Sequence, residues 1–139
     1  MEKTNIEDSK KDKNWTVREV NLLSPLQLAY IGDAVYEVFI RRFLLEDRLL
    51  SVNELHKKAI EFVKAKAQSD IVHKLMDKLT DEEVRVVKRG RNTKSGTVPK
   101  NANVSDYRYA TGFEALIGYL YLLNRHDRIE EIFNRIIEN

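Results

Sequence analysis

The chain has 139 residues, enough for one compact domain whose core needs no covalent or metal staple. It has no cysteine, which excludes disulfides and thiolate metal sites, and no apolar run reaches membrane-spanning length without a charge. Lys and Arg number 24 against 22 Asp and Glu, a net charge of +2, so any case for a nucleic-acid partner rests on where the cations fall.

Residues 1–21 carry five basic and five acidic residues around a single Trp15 and read as a loosely ordered leader, from which Trp15 and Val17 can dock on the domain. No signal-peptide core stands at the N-terminus. Residues 22–139 read as one domain built of successive helices. Ser24 followed by Pro25 is a cap followed by a proline at the first helical position, predicting a helix over 25–46. A second helix starts near Ser51 or Asn53, with Leu55, Ala59, Phe62 and Val63 at helical spacing. A third spans 67–79, with Ile71, Val72, Leu75 and Met76 on one face. Thr80-Asp81-Glu82-Glu83 is a capping box that opens a fourth, expected to stop at Gly90. Residues 91–104 read as a loop. A long apolar helix over 105–124 follows, then an amphipathic one whose stripe is Ile129, Ile132, Phe133, Ile136 and Ile137. No segment alternates like a strand, so the fold class is all-α.

Two acids are out of place in this pattern. Asp33 is the only charge between Leu22 and Tyr36, and Glu114 is the only one between Tyr109 and Asn124. Both helices are apolar nearly all round, so both acids are expected to be buried, where an unpartnered carboxylate costs several kcal/mol. If the helices pack together, the carboxylates converge and suit Mg²⁺, which keeps most of its waters and takes few protein oxygens. A water on such an ion serves phosphodiester cleavage. The ordinary alternative is that each acid pairs with an Arg or Lys or caps a neighbouring helix. Gly32 and Gly112 lie beside the acids; glycine in a helix costs about 1 kcal/mol, which points to close packing or ligand access. Glu37, one turn after Asp33, either joins the acids or pairs with Arg41.

Residues 85–100 hold six cations and no acid: Arg85, Lys88, Arg89, Arg91, Lys94 and Lys100. Asn92, Thr93, Ser95 and Thr97 stand among them, and such hydroxyl and amide groups bind phosphate or ribose 2′-OH groups. The competing reading is a solvated helix end whose cations oppose the macrodipole. Lys57, Lys58, Lys64 and Lys66 read as a solvated face. His56, His73 and His126 show no metal spacing, and the tyrosines read by default as core.

The run Ala29-Tyr30-Ile31-Gly32-Asp33-Ala34-Val35-Tyr36-Glu37-Val38 resembles the signature helix of ribonuclease III domains, and the run from Thr111 to Leu120 resembles their second acidic helix. Leu55-His56-Lys57-Lys58, Lys88-Arg89-Gly90-Arg91-Asn92 and Lys94-Ser95-Gly96-Thr97 resemble the Mini-III branch. The resemblance covers residues 22–139. It implies an all-helical homodimer with two active sites along one valley that holds the RNA duplex. Asp33 and Glu114 then take the positions of catalytic, metal-ligating acids, with Mg²⁺ as cofactor and Mn²⁺ as substitute. The products are 5′-phosphate and 3′-hydroxyl ends. The branch implies a bacterial cytoplasmic protein that matures precursor 23S ribosomal RNA, with a large-subunit ribosomal protein as partner. The larger enzymes carry further acids where this chain has Leu26, Ala29 and Thr111, which implies more water around the metal and leaves Thr111 to orient a ligating water. No double-stranded-RNA-binding domain is expected after residue 139, so grip falls to Arg85, Lys88, Arg89, Arg91, Asn92, Lys94, Ser95, Thr97 and Lys100. The alternative is a non-catalytic RNA-binding protein on the same fold, against which the retained acids argue.

Overall fold

A computed structural model describes residues 13–94, 98 and 100–138. Seven α-helices stand among them, α1 (Val17–Leu22), α2 (Pro25–Leu44), α3 (Val52–Val63), α4 (Ala65–Leu75), α5 (Asp81–Asn92), α6 (Val104–Leu122) and α7 (His126–Ile137), with a 3-10 turn at Met76–Lys78 after α4. No strand occurs among the described residues, as the periodicity predicts.

Local chemistry sets the boundaries. Ser24, Ser51 and Thr80 each accept a hydrogen bond from the backbone N–H three residues on, and Gln27, Glu54 and Glu83 return the bond to the cap. Asn103 caps α6 by accepting from the Asp106 N–H at 3.1 Å. Helix α6 ends on Asn124, the one non-glycine residue with positive φ (58°) among those described. There Arg125 N–H donates to Leu120 O and Asn124 N–H to Tyr121 O, the reciprocal pattern that satisfies a helix's last carbonyls.

The described part of the leader, residues 13–21, is more ordered than expected. Thr16 and Glu19 form a capping box that starts α1, Val20 is fully buried, and Trp15 packs on the core. Residues 1–12 lie outside the described residues. Lys64 is extended and divides α3 from α4, so α4 begins two residues before expected and gives way to the 3-10 turn where a continuous helix was predicted.

The larger correction concerns Gly90. It does not end α5 but lies inside it, buried, and the helix continues to Asn92. A Cβ at Gly90 would come within 2.7 Å of the Gly112 Cα, and one at Gly112 within 2.5 Å of the Val87 carbonyl oxygen. The glycine therefore serves contact between helices.

Helix α6 is the axis of the molecule. It is packed by α2, α4 and α5, with α7 against its C-terminal end, and Ala110–Phe113 and Ala115–Leu120 are all buried. Helix α2 is as apolar in sequence but covered on one side only: Leu28, Val35, Tyr36 and Ile40 are buried, whereas Tyr30 is 84% and Val38 55% exposed. Two glycines bring α2 onto α6. A Cβ at Gly32 would lie 1.8 Å from the Glu114 carbonyl oxygen, and one at Gly118 would lie 1.9 Å from that of Leu28. Tyr36 meets Phe113 edge-on at 5.0 Å, and Phe39, Phe43, Phe62 and Phe133 extend the core between α2, α3 and α7.

A polar lock joins α5 to α6 and α7. Glu82 accepts from the Tyr119 hydroxyl and from Arg125, and buried Glu83 receives a two-pronged bond from Arg128 at 2.8 Å on each oxygen. Burial pushes the Glu83 carboxyl up, but Arg128 and the Thr80 N–H pull it further down, so its net value lies below the ordinary 4.5.

Two outcomes follow. Gly118→Ala should cost about 2 kcal/mol or more despite alanine's better helix propensity, because the clash is with main chain that cannot rotate away; thermal unfolding should show a Tm lower by roughly 10 °C. Because Glu83 is depressed in the folded state, it adds stability above the ordinary carboxylate value that is lost as pH falls through its folded value. Glu83→Gln keeps the capping box but loses the ion pair. It should cost about 3 kcal/mol at neutral pH, and its denaturation curve should converge on the parent's as pH falls through the folded value of Glu83, below the ordinary carboxylate range.

Candidate metal centre and nucleic-acid surface

Gly32 rests on the Glu114 carbonyl, so Asp33, the next residue of α2, is delivered to the Glu114 side chain. The approach is built from main chain. Glu114 is half-buried and its carboxyl is pushed up to about 8, first by burial and then by the hydrogen-bonding reach and negative charge of Asp33. Glu37 adds to the rise from one turn further along α2, and Gln68 of α4 opposes it. The expected convergence of the two acids is thus present. The expected burial holds for Glu114 only in part and not for Asp33, which is exposed because the α2 face around it is uncovered in the single chain.

Among the described residues neither acid has the cationic partner that the ordinary alternative requires, nor does either cap a helix, since both lie mid-helix. Glu37 reaches Arg41, but only at 3.9 Å and in solvent, where such a contact contributes little. Among the described residues no group of three or more His, Asp or Glu could hold a metal ion. The pair nevertheless fits a hard divalent cation. Its donors are oxygens, and two adjoining carboxylates keep a proton that a cation would displace. Thr111 is buried, and its hydroxyl proton goes to the Tyr107 carbonyl at 3.0 Å, which leaves it only lone pairs for a water.

The cations of α5 lie on the surface. Arg85, Lys88 and Arg89 are exposed, and with Asn92 and Thr93 they line a depression beside Pro25 at the start of α2. Arg91 is held more firmly than expected: its guanidinium reaches the Asn92 side chain at 3.0 Å and the Tyr109 hydroxyl at 3.4 Å, over the Tyr109 ring. Thr93 donates to the Arg89 carbonyl and closes the helix. Lys94 and Lys100 are exposed, while Ser95 and Thr97 lie outside the described residues. The contact of Gly90 with Gly112 sets this basic end against α6 two residues from Glu114. Arg108 was not singled out in the sequence. It lines a second depression with Arg91, Asn92, Ser105 and Tyr109, and its signal was a cation in the early turns of an otherwise apolar helix.

Other side chains fall in ordinary places. His73 stacks on Tyr109 and donates from Nδ1 to the Ser69 carbonyl, and His126 meets Tyr121 edge-on. Lys64 pairs with Glu61 and Lys66 with Asp70. The core reading of the tyrosines holds for Tyr36 and Tyr119 and fails for Tyr30 and Tyr121.

Comparison with known proteins extends this picture. A ribonuclease III domain model matches residues 26–125. The Mini-ribonuclease 3 of Clostridium tetani is 53% identical over 126 residues, covering 90% of this chain and 83% of that protein. The Mini-ribonuclease 3 of Brevibacillus brevis is 52% identical, covering 86% of this chain and 90% of the relative. A crystal structure of a Fusobacterium nucleatum protein superposes with a TM-score of 0.79 at 36% identity, over 86% of this chain and 96% of the other. The all-helical fold agrees with that match, and the chain belongs to the ribonuclease III family of endoribonucleases, in its Mini-ribonuclease 3 group.

Proposed function

We propose that this protein cleaves double-stranded RNA with Mg²⁺ held by Asp33 and Glu114, leaving 5′-phosphate and 3′-hydroxyl ends. The observation that carries the reading is the pair itself: two carboxylates brought together by glycine-mediated main-chain contact, with no cationic partner among the described residues. A divalent ion held there supplies Lewis acidity, both to a water and to the phosphodiester. The protein's own share is positional. Gly32 and Gly118 hold the acids at one separation, Glu37 adds negative potential behind them, and water supplies the remaining coordination. Mn²⁺, with a similar preference for oxygen, substitutes.

Arg85, Lys88, Arg89, Lys94 and Lys100 present exposed charge to the phosphates, and Arg91 and Arg108 flank a depression suited to one of them. This surface, with Asn92, Ser95 and Thr97, grips the duplex. The likeness to the Mini-III branch supports the precursor of 23S ribosomal RNA as its substrate, with a large-subunit ribosomal protein shaping that substrate.

The protein acts as a homodimer. Leu26, Tyr30 and Val38 on the uncovered side of α2 that also carries Asp33 are 41%, 84% and 55% exposed, and Leu22 at the end of α1 is 79% exposed. Large apolar side chains gathered so densely mark a protein contact. A second copy on this side of α2 would bring both active sites into one valley.

Incubation with a long RNA duplex should give Mg²⁺-dependent cutting that chelator abolishes. Asp33→Asn and Glu114→Gln should each reduce it about a hundredfold or more, the scale on which removing one charge-stabilising group acts. Binding without cutting would instead support the RNA-binding alternative, and equal cutting by the variants would place the site elsewhere. Sedimentation should find the parent dimeric and Tyr30→Glu monomeric with unchanged helical circular dichroism. A dimeric variant would remove this side of α2 from the interface.

A further inference from the structure

Gln68 lies in the first turn of α4, 1% exposed, and its Nε2 is buried without a hydrogen-bond partner. It is the only such side-chain nitrogen or oxygen among the described residues. An idle buried amide donor costs about 1–3 kcal/mol, so for packing alone an apolar side chain of the same length would be the better choice. The amide is not free to wander. In the last turn of α4, His73 binds the Ser69 carbonyl at 2.7 Å and stacks on Tyr109 of α6 at 4.1 Å between ring centres, holding α4 against the helix that carries Glu114.

Helix α4 packs along α6, and the Gln68 side chain lies within hydrogen-bonding reach of the Glu114 side chain. Its donor is thus close enough to act on that acid but has not formed the bond. Carboxylates that ligate a metal are themselves held by outer hydrogen bonds that set their orientation and basicity. A buried donor left unused beside a carboxylate is what such a pair looks like before the cation is in place.

We propose that Gln68 is a positioning residue for Glu114, donating its Nε2–H to the ionised carboxylate when that carboxylate turns to a divalent cation shared with Asp33. The proposal rests on the reading of Asp33 and Glu114 as the pair that holds the metal. It explains why a polar side chain occupies a position that packing would give to an apolar one.

The test is Mn²⁺ binding by calorimetry to the full chain without RNA, together with thermal unfolding in chelator. Gln68→Met is close in shape and lacks the donor. It should leave the chelated Tm unchanged or higher, since a burdened polar group is gone, and weaken Mn²⁺ affinity by about 10–100-fold. Parent-like Mn²⁺ affinity in Gln68→Met would overturn the proposal whatever its Tm. Should that variant not fold, Gln68→Asn, which withdraws the amide by one methylene, is read by the same two outcomes. Asp33→Asn serves as the reference. If it binds Mn²⁺ as well as the parent, the cation sits elsewhere and the metal pair itself is wrong, a failure distinct from one confined to Gln68.

Discussion

Everything in this molecule is referred to the contact of α6 with α2 and α5 at the level of the main chain. Gly32 and Gly118 on one side, and Gly90 and Gly112 on the other, leave no room for a Cβ. Helices separated by ordinary side chains run 8–10 Å apart and shift as those side chains repack. Here the separation is set by peptide groups touching, and rotamer changes have little to act on. The cost is the conformational freedom that glycine loses in a helix, about 1 kcal/mol at each position. The burial along α6, from Ala110 to Leu120 with only Glu114 half open, offsets it.

That contact also explains how a carboxylate pair persists without a counter-ion. Two acids on flexible side chains would swing apart. Asp33 and Glu114 stand on helices whose backbones meet beside them, so repulsion is relieved by retaining a proton and not by movement. The strain is electrostatic and local, and it is the kind that a divalent cation removes. At the start of α5 the charges are matched: Glu82 with Arg125 and Tyr119, Glu83 with Arg128. The same fold thus contains one polar cluster that is satisfied and holds helices together, and one that is left incomplete around α6.

Much of this was legible in the sequence because the signals were local. Ser24-Pro25 and the Thr80 to Glu83 box announce helix starts through hydrogen bonds within four residues, and both stand where they were read. Asp33 and Glu114 were legible as lone charges in apolar helices. What could not be read is partnership across space. Gly90 looks like a helix end to any local rule, and only the presence of Gly112 opposite makes it a packing residue. Helices α2 and α6 have similar apolar content, yet one is enclosed and the other keeps Tyr30 and Val38 in solvent, a difference set by which neighbours arrive. Gln68 carries no sequence signal at all, since a glutamine near a helix start is ordinary until its burial is known.

The glycine contacts of α2 with α6 work as a reciprocal code. Each helix offers one gap and one carbonyl: Gly32 receives the Glu114 oxygen, and Gly118 receives that of Leu28. The two helices therefore run antiparallel, and their register admits no neighbouring solution. Sliding α6 by one turn would set Gly118 against Gly32, gap facing gap, and would push the Cβ of Leu122 toward the Leu28 carbonyl. A mispaired intermediate would hold a void and a clash at adjacent turns, with Glu114 carried toward Tyr36. Assembly of the acidic pair and rejection of the slipped alignment are thus one event, and a chain that has docked these helices at all has docked them with its acids aligned.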